Sequence, residues 1–209
     1  MTGTLKEPWL DNPATMGTSS KVALAATFTA LVVGSDFALA GIPNVKLMDT
    51  LVFLAAYLFG FRVGASVGVL SELVWSLVSP WGSAGPIAPF LILGEVMFAA
   101  AGYSAARFWS GGPVFRSGEN FVFGGLLALC AFIWDVETQF GTALIACWPA
   151  MTAANVGGTI LFGVPFMLSH EISDFLFGML FVPIVIILVP RIVPGRRFGL
   201  RPNLRKSGD

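Results

Sequence analysis

Eight carboxylates and one histidine lie inside or at the mouths of long apolar runs: Asp36, Asp49, Glu72, Glu95, Asp135, Glu137, His170, Glu171 and Asp174. An acid placed at the centre of a bilayer costs about 2.5–3.5 kcal/mol on insertion scales, so it must face a partner, a cavity or a ligand. No Lys or Arg lies beside Glu72 or Glu95 in the sequence, so each is either protonated and bonded to a neighbouring helix or part of a site. Asp49, Glu171 and Asp174 open apolar runs, where helix N-capping is the alternative to a binding role. Trp75 follows Glu72 by one helical turn, Trp134 adjoins Asp135, and Trp81 sits in a Pro/Gly-rich loop. Either these indoles form an interfacial belt, or they supply aromatic faces beside the carboxylates, a combination that suits a flat ring with polar edges.

Catalysis is not indicated. His170 is the only histidine, and no nucleophile, base and orienting group recur at useful spacing. Cys130 and Cys147 sit in apolar runs as small hydrophobes, without a C-x-x-C or Cys/His cluster, so no metal centre is expected. No GxxxxGK[ST] segment exists, so the chain does not bind ATP in the P-loop manner. These features predict a non-enzyme with no cofactor of its own.

The elements that must hold these residues are membrane helices. Of 209 residues, 56% are hydrophobic and only 11% charged, against about 25% charged in an average soluble domain. The apolar runs are about 20 residues long, the length that spans a hydrocarbon slab of about 30 Å. The expected fold is an all-α integral membrane bundle: a polar leader over 1–20, six helices within 21–193, and a basic tail over 194–209. The spans are read at 21–42, 47–61, 63–78, 86–109, 119–147 and 169–193. Residues 149–169, interrupted by Pro149, Gly157, Gly158, Gly163 and Pro165, read as an outer loop with a short or re-entrant helix.

Twelve basic residues balance twelve acidic ones, but the two sets are segregated. With six spans, Lys6, Lys21, Arg62, Arg107, Arg116, Arg191, Arg196, Arg197, Arg201, Arg205 and Lys206 share one side, and Lys46 alone falls opposite. Positive charge marks the cytoplasmic face, so both termini are placed there, in a multi-pass protein of the cell membrane. Glu72 and Glu95 then fall near the midplane, and Asp36, Asp135, Asp49, Glu171 and Asp174 nearer the outer face.

Small residues mark close helix contacts. Gly60, Gly64 and Gly68 recur every four residues and are read as internal packing. Ala26-x-x-x-Ala30 makes a flat face on the first helix that suits an external helix as well as an internal one.

The stretch from Pro43-Asn44-Val45-Lys46-Leu47 through Gly60, Gly64, Gly68 and Glu72 resembles the first loop to third helix of the substrate-binding S components of energy-coupling factor (ECF) vitamin transporters. The Ala26-x-x-x-Ala30 pair is similar to the alanine motif by which such subunits dock on a transmembrane T subunit, and 166–183, with His170-Glu171-Ile172-Ser173-Asp174, is similar to their last helix. The resemblance implies capture of a vitamin or related micronutrient at the outer face and inward delivery with a T subunit and two ATPases that alone bind ATP. It implies partners in the bilayer and none among nucleic acids. It makes Asn44 and Lys46 a lid and Ala26 and Ala30 the docking face. The pocket would be lined by Asp49, Glu72, Trp75, Trp81, Glu95, Trp134, Asp135, His170, Glu171 and Asp174. An excess of acids favours a cationic or donor-rich nitrogen heterocycle. Two other readings stand beside it: a stand-alone proton-coupled carrier using Glu72 and Glu95, and a non-catalytic membrane assembly subunit.

Overall fold

A computed structural model of the chain describes residues 16–108 and 117–192. The basic tail, most of the leader, and the topology-setting Lys6, Arg116, Arg196, Arg197, Arg201, Arg205 and Lys206 lie outside these residues. Among the described residues the fold is entirely helical: α1 (Thr18–Leu39), α2 (Met48–Phe59), α3 (Phe61–Val78), a 3-10 turn (Gly85–Ile87), α4 (Ala88–Phe108), α5 (Ser117–Cys147) and α6 (Ala153–Ile192). Five of the helices are long and apolar enough to cross a membrane, and α2 is shorter, at 12 residues, or about 18 Å.

The core is built around α2. Eleven of its residues are buried, only Leu51 being partly exposed. A helix that is apolar all round belongs inside a bundle, and α2 is packed by α3 and α4 along its length and by α1 and α6 at its margins. The α2–α3 turn falls at Gly60, whose φ of +94° only glycine adopts readily. Gly64 then lets α3 run against α2, because a Cβ there would collide with Ala56. The outermost helix is α1, which buries only Ala25, Val32 and Asp36.

Residues 149–169 correct the sequence reading. Only 149–152 are a connection; 153–169 are neither an outer loop nor a re-entrant piece, because α6 begins at Ala153 and runs unbroken for 40 residues, about 60 Å. Pro165 and the glycines do not stop it, since bundled membrane helices re-satisfy the freed backbone groups. The glycines instead admit close neighbours. A Cβ on Gly163 would overlap the Gln139 amide, and one on Gly178 would lie 2.8 Å from the Phe123 carbonyl oxygen. The pairing of α5 with α6, joined by a short connection, is thus tight along its length. Because α6 starts early, Glu171 and Asp174 lie mid-helix rather than at a helix mouth, and neither caps a terminus.

Candidate functional site

Three helices each aim a stripe of side chains at i, i+3, i+4 and i+7 into one region. On α3 the stripe is Glu72, Trp75, Ser76 and Ser79; on α5 it is Asp135, Thr138, Gln139 and Thr142; on α6 it is Thr159, Phe162, Gly163 and Phe166. Between them lie two adjoining cavities of about 490 and 450 Å³, within the usual size of a small-molecule site. Lys46, Trp75, Ser79, Trp81, Leu91, Thr138 and Thr142 border both. Trp81, 62% exposed, stands at the mouth, whereas Trp75 and Trp134 are buried in the wall.

The loop between α1 and α2 roofs this space and is fastened at both ends. Asp36 of α1 accepts a hydrogen bond from the Leu47 N–H at 2.9 Å. On the far side, Asn44 Nδ2 donates to the Phe166 carbonyl oxygen at 2.9 Å, and Ser169 Oγ donates to the Pro43 carbonyl oxygen at 3.1 Å. Asn44 holds φ +58°, a left-handed conformation that Asn tolerates better than most residues.

Trp134 organises the floor. Its indole sits directly on Gly94, where a Cβ would overlap the ring, and its Nε1–H donates to the Leu91 carbonyl oxygen at 3.2 Å. Lys46 Nζ lies 5.2 Å from the ring centroid, within cation–π range. Burial works against the Lys46 charge, but the fields of Glu72, Asp49, Asp36 and Glu95 outweigh it and hold its pKa above the ordinary lysine value.

Behind the floor is a second, buried polar cluster. His170 Nδ1 meets Asp135 Oδ2 at 3.0 Å, and Nε2 meets Asp49 Oδ2 at 3.2 Å and Asp174 Oδ2 at 3.9 Å. Glu95 of α4 is buried near enough to Asp49 for the two carboxyls to interact, and neither Glu95 oxygen has a hydrogen-bond partner.

Of the residues expected at the site, Asn44, Lys46, Glu72, Trp75, Trp81, Trp134 and Asp135 line the cavities. Asp49, Glu95, His170 and Asp174 gather in the cluster behind them, and Asp135 belongs to both. Glu171 joins neither, because one residue along a helix turns the side chain about 100° from His170. Ala26 and Ala30 are exposed on α1, away from the cavities. Sequence reasoning placed Asp36 towards the outer face without assigning it to the pocket, and left out Ser76 and the Thr138–Gln139–Thr142 stripe. The last was visible as a polar repeat following Asp135 at helical spacing.

Comparison with protein-family models, with curated proteins and with solved structures finds no match to this chain.

Proposed function

We propose that the chain is the substrate-binding subunit of an ECF-type importer, which captures a cationic, ring-containing micronutrient from outside and passes it inward with a T subunit and two ATPases. The observation that carries this reading is the pair of cavities with indole walls, roofed by a loop that is tied to α1 and α6. Asp36, Glu72 and Asp135 against a single lysine favour a positively charged ligand, and Trp75 and Trp134 offer it ring faces. Counting α2 as a crossing gives six, an even number that returns both ends to one side, and the basic residues assign that side to the cytoplasm. The exposed Ala26 and Ala30 leave a flat face on α1 for a partner helix.

Affinity purification of the tagged chain from its native membrane tests the reading. It is expected to recover a T-like membrane subunit together with ATPase subunits, and recovery of the chain alone, without bound small molecule, overturns it.

A second reading, a stand-alone proton-coupled carrier, draws on Glu72 and Glu95, two buried acids, both oxygens of Glu95 lacking a hydrogen-bond partner. It requires uptake by the purified chain alone in liposomes, abolished when the pH gradient is collapsed. Uptake that needs the ATPases and ignores the gradient excludes it.

A further inference from the structure

The cluster behind the cavity floor has a composition that hydrogen bonding within the protein does not satisfy. Asp174 is fully buried, and neither of its carboxyl oxygens receives a hydrogen bond. Glu95, from a different helix, is also fully buried, and both of its oxygens lack a donor. A carboxyl buried without a donor either keeps its proton or meets a cation. Lys46, the nearer of the two described lysines, acts on these acids only at a distance, since its ammonium lies over Trp134 on the cavity side.

We infer that Asp49, His170 and Asp174, with Glu95 beside them, form a binding site for one divalent first-row transition-metal ion. One donor atom from each of Asp49, His170 and Asp174 falls within a 4.8 Å group. His170 Nε2 lies 3.2 Å from Asp49 Oδ2, a hydrogen bond, and 3.9 Å from Asp174 Oδ2; donors each about 2.0–2.2 Å from a shared ion can take both separations.

The imidazole is also oriented for this role. Asp135 holds Nδ1 at 3.0 Å. A carboxylate accepting the Nδ1–H leaves the Nε2 lone pair directed at Asp49 and Asp174, the carboxylate–histidine–metal arrangement that fixes the ligand tautomer. Trp134 packs against the same imidazole with its ring planes at 73° and seals the side towards the cavity. One imidazole among carboxylates suits Mn²⁺, Fe²⁺, Co²⁺ or Zn²⁺ and not Cu⁺, which prefers sulfur.

Residue spacing does not reveal this site, because a lone histidine with no cysteine nearby does not have the pattern of a metal motif. The ligands come from α2 and α6, so they converge only in the folded bundle. An ion held there would join those helices beneath the cavity and, through Asp135, reach the ligand site. The inference does not depend on the transport reading, since metal content and uptake are measured separately.

The test is a titration of the purified full chain, stripped with EDTA, with CoCl₂, followed by the visible absorption of bound Co²⁺. Saturation at one ion per chain, with displacement by ZnCl₂, is expected. His170→Gln and Asp174→Asn should abolish the signal. Asp135→Asn, which touches the ion only through His170, should weaken binding by about 10–100-fold. Glu137→Gln, outside the cluster, should leave it unchanged. X-ray absorption at the cobalt edge of the wild-type complex should show one imidazole among oxygen ligands, which decides the matter even if a variant fails to fold. Absence of saturable binding up to millimolar Co²⁺, an edge spectrum without imidazole, or full binding in folded His170→Gln and Asp174→Asn overturns the inference.

Discussion

Trp134 and His170 meet edge to face, with ring centroids 5.1 Å apart. This contact joins the cavity to the buried acid–histidine cluster, because the indole walls the first and packs on the centre of the second. The position of Trp134 is set in turn by Gly94, the point at which α4 yields space to the ring.

Gly94→Ala is therefore expected to act on both regions. The added methyl overlaps the indole, and overpacking of this kind costs about 1–3 kcal/mol, offset in part by the better helix propensity of alanine. The melting temperature in detergent should fall, and ligand affinity should fall with it. A variant that melts and binds like wild type would mean that Trp134 is free to move aside.

Asn44→Ala removes the hydrogen bond to Phe166 and places alanine at a left-handed φ. Asn44→Gly removes only the hydrogen bond, since glycine accepts that backbone. Loss of the bond, worth about 1 kcal/mol, should speed ligand release by about fivefold in Asn44→Gly and by more in Asn44→Ala. Stopped-flow release from the two variants separates the roof fastening from the backbone effect, and unchanged release in both would remove the loop from the gating of the site.

Glu72→Gln keeps a carbonyl oxygen for the Ser76 hydroxyl, which donates to Glu72 Oε1 at 2.9 Å, but deletes the negative charge. For a cationic ligand, the loss of a charge-assisted contact of about 1.5–3 kcal/mol means roughly 10–150-fold weaker binding. Calorimetry that finds equal affinity would show that the ligand is neutral or lies elsewhere.

Ala26→Leu combined with Ala30→Leu enlarges an exposed face of α1 without touching a cavity wall. Ligand binding by the isolated chain should be unaffected, while recovery of the T-like subunit in affinity purification should drop. Recovery at the wild-type level would place the partner on another surface.

The helical architecture was legible because apolar runs of membrane length leave few alternatives. Helix rise and charge asymmetry set the depths of Glu72, Trp75, Trp134 and Asp135, whereas their gathering around one space was implied by the family resemblance alone. What failed was the reading of Pro165 and Gly163 as helix breakers. Their effect on an isolated helix differs from that in a bundle, where Gly163 accommodates Gln139. That error hid the α6 stripe of Thr159, Phe162 and Phe166, which walls one side of the cavity. The convergence of Asp49, Glu95, His170 and Asp174 was also hidden. It depends on how α2, α4 and α6 rotate about their axes, and spacing along one chain does not set the rotation between helices.

The central claim is that the indole-walled cavities hold a cationic small molecule. Mass spectrometry of the compounds released on denaturing the chain purified from its native membrane tests it most directly. A single ring-containing, positively charged species near one per chain, depleted in Trp134→Ala and Glu72→Gln, is the predicted result. Lipid and detergent alone, or a compound retained equally by both variants, would contradict it.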